Sequence, residues 1–308
     1  MHKKRLNGVI KCLAALFIFC LLCPQFGVAK QAKTVRIAYV PWSSEIASSN
    51  VVKAVLQEKM GYDCKLVSME ADTMWKAVGN GDVDGMVAAW LPGTHGHYLQ
   101  KVEGNVVDLG PNLEGTKIGL VVPDVPPGKI TGEMGIPEGS YITIDSIPEL
   151  KDHAEKFNGR IIGIDPAAGI MKKTKEAMEA YDLYNYELID GSEISMTAEL
   201  ADGVRNRAWV VVTGWTPHWM FARWDLKYLK DPKNIYGGEE AIHTIVRKGL
   251  KKDMPEVYAF LDSFYWTPEE MNQVMIWNQL DQGMNPYGKA VRWVRSNPER
   301  VQSWLDQQ

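Results

Sequence analysis

Three tryptophans, Trp42, Trp90 and Trp215, each stand where an apolar run breaks into a polar turn. The segments are AYVPWSSEIAS (38–48), MVAAWLPGTH (86–95) and VVVTGWTPHW (210–219). An indole face attracts cations better than any other side chain, and a quaternary ammonium supplies charge without needing hydrogen-bond acceptors. An aromatic cage is therefore the first expectation. Core packing stands beside it, because the chain has 11 Trp and a Trp is most often a large core residue with one polar end. Trp75, Trp209, Trp266, Trp277, Trp293 and Trp304 fall inside helix-like or strand-like stretches and are expected in the core. Trp219 and Trp224 read either way.

A second segment, IIGIDPAAGIMKKT (161–174), puts Pro166, Ala167 and Ala168 between a strand and a helix beginning near Gly169. Free N–H groups at a helix start can receive an anion, and small residues let it approach the backbone. Gly-x-Gly-x-x-Gly and Lys-Ser/Thr features of nucleotide sites are absent from the turn, so a small carboxylate suits it better. Every strand–helix unit has such a start, however, and most bind only water. His95 adds support: it lies five residues past Trp90, and Pro92 and Gly93 turn the chain so that ring and imidazole can share one pocket. His97 and His218 are assigned structural or surface roles.

These residues need elements to hold them, and the pattern alternates strand and helix. TVRIAYV (34–40), CKLVSM (64–69) and GMVAAW (85–90) read as strands. Helices lie between them, one capped by Ser43 or Ser44 and the next by Asp72. Alternation of this kind predicts parallel βαβ units. VPDVPPGKITGEMGIPEG (122–139) is dense in Pro and Gly and marks a boundary. The alternation then restarts with RIIGID (160–165), a helix at 169–182, YELID (186–190), a helix capped by Ser192, and WVVVTG (209–214). AIHTIVRKGL (241–250) reads as a strand returning to the first unit. Two lobes joined by two crossings are expected, 30–121 with 239–308 and 122–238, with a ligand between them.

Residues 1–29 read as a secretory signal: Lys3, Lys4, Arg5 and Lys11 make the positive end, 12–23 are apolar, and Gly27-Val28-Ala29 resembles a cleavage site. Removing four basic and no acidic residues takes the formal net charge from −4 to −8, a poor balance for nucleic-acid binding. Cys12, Cys20 and Cys23 leave with that segment. A lipid anchor at Cys23 is disfavoured because Leu22 precedes it. Cys64 alone supports neither an intrachain disulfide nor a thiolate metal site. Neither cofactor nor metal is expected, and the location read from the leader is the periplasm. An enzyme is the rival class, with Asp165, His218 and Ser192 as an imaginable triad, but no nucleophile elbow surrounds the Ser.

With these residues assembled, the chain resembles the substrate-binding proteins of glycine betaine ABC importers. The likeness is carried by AYVPWSSEIAS, MVAAWLPGTH, GPNLEGTKIGLVVP (110–123), IIGIDPAAGIMKKT and the segment from Val210 to Pro232. The resemblance implies an α/β chain of the type II periplasmic-binding-protein fold, two lobes closing on a ligand cleft. It implies that Trp42, Trp90 and Trp215 form a prism around a trimethylammonium group. It also implies that the N–H groups of Gly169 and Ile170, with His95, hold the carboxylate. Glycine betaine or proline betaine is the implied ligand, and a membrane permease with its ATPase the implied partner of a monomer. A ligand-sensing domain of the same fold is the alternative use. The 122–139 stretch departs from the shorter connections the family leads one to expect.

Overall fold

The structure, a computed structural model, describes residues 34–125 and 140–306. The expected leader with Cys23 lies outside the described residues, as does most of the 122–139 stretch. The first half of the chain runs β1 (Thr34–Tyr39), α1 (Ser43–Glu58), β2 (Asp63–Ser68), α2 (Ala71–Asn80), β3 (Gly85–Leu91), α3 (Gly96–Val102) and β4 (Val106–Pro123). Next come β5 (Arg160–Ile162), α4 (Gly169–Ala180), β6 (Glu187–Ile189), α5 (Glu193–Asn206), β7 (Val212–Thr216), α6 (Met220–Arg223) and β8 (Leu226–Tyr228). The chain then returns through β9 (Glu240–Arg247) to α7 (Leu250–Asp253), α8 (Pro255–Ser263), α9 (Pro268–Gln279), α10 (Pro286–Ser296) and α11 (Pro298–Leu305).

The strands run in the order β2-β1-β3-β9-β4-β7-β5-β6, with β8 on β4. The predicted parallel pairs form: β1 with β2 and β3, and β5 with β6 and β7. Strand β9 is antiparallel to both β3 and β4. The sequence reading did not single out β4, an 18-residue strand with Gly110 and Pro111 inside it. It pairs with β9 from Val106 to Thr116, then with β7 from Lys117 onward. One strand thus joins two parts of the sheet in an α/β fold. Strand β3, GMVAAWL, is buried at every position, as a strand covered on both faces must be.

Helix α1 buries Ala47, Val51, Val52, Ala54, Val55 and Leu56, and α10 packs along it. The C-terminal helices close a separate aromatic cluster: Trp266 meets Trp293 edge-on at 5.7 Å, and Trp293 stacks on Trp304 at 5.9 Å. Trp75, Trp266, Trp293 and Trp304 are core residues, as expected. Trp209 and Trp277 are not. Both are half-buried: Trp209 lies in the connection ahead of β7, stacked on His153 under Lys156, and Trp277 lies in the last turn of α9 under Arg292.

The helix-cap expectations divide. Ser192 caps α5 through a capping box with Ser195. Ser43 does not cap α1, and Asp72 does not cap α2: Trp42 and Glu70 occupy those positions without a side-chain cap, and Asp72 instead pairs with Lys76 one turn on.

Candidate ligand-binding site

The carboxyl ends of the parallel strands aim the key residues at one place. Trp42 follows β1 and starts α1, while Trp90 is the penultimate residue of β3 and Trp215 that of β7. All six sequence-predicted residues, Trp42, Trp90, His95, Gly169, Ile170 and Trp215, line a single pocket together with Thr94, Ile118, Ile164 and Ala168. Its empty volume is about 290 Å³, counting space open to solvent.

At the aromatic end, Trp42 and Trp215 stand 6.3 Å apart between ring centroids, tilted by 53°, and Trp42 lies 6.2 Å from the His95 ring. The indoles are pinned from behind. Trp42 Nε1 donates to Asp165 Oδ2 at 2.9 Å, and Trp90 Nε1 to Glu45 Oε1 at 2.9 Å. Trp215 is held edge-on against His218 at 4.7 Å. A hydrogen bond at the ring edge of Trp42 and of Trp90 leaves their π faces for the pocket, whereas the buried Trp215 Nε1 has no partner among the described residues. Burial pushes the Glu45 carboxyl up to about 7, against the bond from Trp90 that favours its charge. Burial likewise raises the Asp165 carboxyl, with the Trp42 bond opposing it.

At the other end, Gly169 and Ile170 are the first two residues of α4, and Ala168 offers no side-chain cap. First-turn N–H groups have no intrahelical acceptor, and that turn carries no acidic residue to offset the helix dipole. Position 169 must be glycine: a Cβ there would lie 2.4 Å from the Thr94 carbonyl oxygen.

His95 is fully buried. Its Nδ1 accepts from the Trp90 N–H at 3.1 Å, which places the proton on Nε2. Nε2 is a buried donor with no partner among the described residues. Burial, reinforced by nearby His97 and opposed only by the Ala88 carbonyl, pulls the imidazole pKa down to about 3. The ring is therefore neutral, with one free N–H. The loop carrying it is fastened by Glu240, which accepts from the Gly93 and Thr94 N–H groups and the Thr94 hydroxyl.

The sequence reading missed Glu45, Glu193 and Glu240. Only Glu45 left a signal, as a lone acid inside the apolar helix run SSEIASSNVVKAVL. The triad imagined for an enzyme does not assemble: Asp165 takes the Trp42 indole, His218 faces Glu193, and the Ser192 hydroxyl is committed to its cap. Buried His218 and half-buried His97 have packing roles, against Trp215 and Tyr98 respectively. Among the described residues no group of three or more His, Cys, Asp and Glu could hold a metal ion, and no helix is long and apolar enough to cross a membrane.

Residues 33–296 match the family described as the substrate binding domain of the ABC-type glycine betaine transport system, OpuAC. The chain belongs to the OpuAC family. That family is one of transport proteins rather than enzymes. A glycine betaine/carnitine transport binding protein, GbuC of Listeria monocytogenes, is 48% identical over 158 residues, which are 51% of this chain and 52% of that protein. The chain thus spans about half the length of this curated relative. Among solved structures, lactococcal OpuAC in a closed form complexed with glycine betaine is 40% identical, with a TM-score of 0.79 over 89% of this chain and 99% of that one. The glycine/betaine/L-proline-binding protein ProX of Borrelia burgdorferi is 39% identical, with a TM-score of 0.80 over 88% and 96%. The type II periplasmic-binding-protein fold with its cleft between two lobes is the fold of this OpuAC member.

Proposed function

We propose that this OpuAC member is an extracytoplasmic substrate-binding protein. It takes glycine betaine or a related quaternary ammonium carboxylate such as proline betaine, and delivers it, as a monomer, to a membrane permease with its ATPase. In this reading residues 1–29 are the leader, and the lobes are 30–121 with 239–308 and 122–238. The change of partner along β4, from β9 to β7, supports two crossings between them.

Convergence carries the reading: indoles from both lobes and the free His95 N–H line the same small pocket. Trp42, Trp90 and Trp215 receive the trimethylammonium. The N–H groups of Gly169 and Ile170, with His95 Nε2, receive the carboxylate. Each desolvated cation–π contact contributes about 2 kcal/mol, and each hydrogen bond to the charged carboxylate about 1.5 to 3 kcal/mol. Neither lobe alone completes the site, so the ligand favours closure by its greater affinity for that state. The lactococcal relative crystallised closed on glycine betaine supports the same closure.

Selectivity follows from bonds left unmade. A primary ammonium brings N–H donors that the cage cannot satisfy, each costing about 1 to 3 kcal/mol when buried. Isothermal titration with glycine betaine, choline and glycine tests this. Glycine betaine is expected to bind most tightly, choline more weakly for want of a carboxylate, and glycine hardly at all. Equal affinity for glycine and glycine betaine would remove the cage reading. A sensor domain would need the same cleft, and no observation favours that use over transport.

A further inference from the structure

Helix α1 begins beside cage residue Trp42 without a side-chain cap of its own. Both donors of its first residue, Ser43, cross the cleft instead. The Ser43 N–H reaches Glu193 Oε2 at 2.7 Å, and the Ser43 hydroxyl donates to Glu193 Oε1. Glu193 is the first residue of α5, in the opposite lobe, and that helix is already capped by Ser192. Its carboxylate is therefore free to serve another helix. Trp219 Nε1 braces the junction, donating to the Ser43 hydroxyl at 3.0 Å and to Glu193 Oε1 at 3.3 Å. His218 Nε2 lies 3.0 Å from the same oxygen, though off the line a hydrogen bond needs. The carboxylate is only 7% exposed. Neither it nor Ser43 lines the ligand pocket.

We propose that Glu193 is a positioning residue that latches the two lobes: it caps α1 in trans, fixes the chain at Trp42, and favours the closed arrangement whatever ligand is inside. A carboxylate at a helix N-terminus gains from both the unpaired N–H and the dipole. Here that gain exists only while the lobes touch. Apparent affinity scales with the population of the binding-competent state, so the latch sets affinity without touching ligand. The proposal rests on the closing cleft put forward under Proposed function.

Glu193→Ala removes the acceptor. Ser43→Pro removes both donors from the other side, at a first helical position where Pro is favoured, after a residue whose extended backbone (φ −91, ψ 149) suits a following Pro. Titration and stopped-flow dissociation with glycine betaine and with choline are expected to show affinity falling about tenfold for both ligands, through faster release. The double variant is expected to lose no more than either single one. A loss confined to one ligand would make Glu193 a ligand contact and overturn the proposal, as would unchanged release rates or additive losses. If Glu193→Ala does not fold, Ser43→Pro alone decides. If the unmodified protein binds neither ligand, the functional reading fails. Ligand-free melting of the single and double variants still tests the Ser43–Glu193 contact in that case, because additive destabilisation would rule it out.

Discussion

The two ends of the pocket solve opposite electrostatic problems with opposite materials. The aromatic end is built from side chains, and its acids, Asp165 and Glu45, stand behind the indoles as acceptors for their N–H groups. The far end is built from main-chain N–H groups at the start of α4 and a neutral imidazole, with no cation in its lining. Neither end has a formally charged side chain in its lining. Recognition by ring faces and fixed dipoles needs little desolvation of the protein's own ions, and it demands exact placement of rings and backbone.

The sharpest way to test that division is at the backbone end. Gly169→Ala forces a Cβ against the Thr94 carbonyl, so titration is expected to show losses above about 100-fold for glycine betaine and choline alike, equivalent to some 2.8 kcal/mol. If choline binding survives, position 169 acts only on the carboxylate. Next in size, Trp42→Ala, Trp90→Ala and Trp215→Ala are each expected to weaken both ligands about 30-fold, the loss of one cation–π contact, with the fold intact. Trp293→Ala, in the C-terminal cluster, is expected instead to destabilise by about 3 to 5 kcal/mol. Collapse of the fold in all three cage variants would turn the aromatic end into ordinary core.

The two ends also separate by pH. His95 titrates near 3 in the fold against an ordinary 6.5, so the folded state takes up its proton less readily and its stability falls as pH drops from about 6.5 toward 3. Glu45 is raised from 4.5 to about 7. The folded state holds that proton longer, and stability falls as pH rises across that interval. Denaturant melts of His95→Gln and Glu45→Gln across pH 4 to 8 are expected to remove these slopes separately, the first on the acid side and the second on the neutral side.

The three indoles were legible in the sequence because each stands where an apolar run breaks into a polar turn, a one-dimensional signal. The strand, small-residue turn and helix start in IIGIDPAAGIMKKT marked a helix beginning near Gly169, while the choice of the Gly169 and Ile170 N–H groups came from the family resemblance. What stayed hidden depends on distant pairs. Trp42 to Asp165 and Ser43 to Glu193 span 123 and 150 residues, and nothing local marks either acid. Ser43 was misread as a cap for the same reason: a serine before an apolar run looks like an acceptor, whereas here it donates across the cleft. Strand β4 escaped notice because Gly110, Pro111 and Gly115 interrupt its pattern, and the ladder with β9 absorbs them as register shifts.

That strand has a mechanical consequence. Because β4 stays hydrogen-bonded to β9 up to Thr116 and to β7 from Lys117, there is no slack tether at this crossing. Motion of one half against the other must be taken up as torsion within a paired ribbon, which bounds its amplitude and returns the molecule along the same arc.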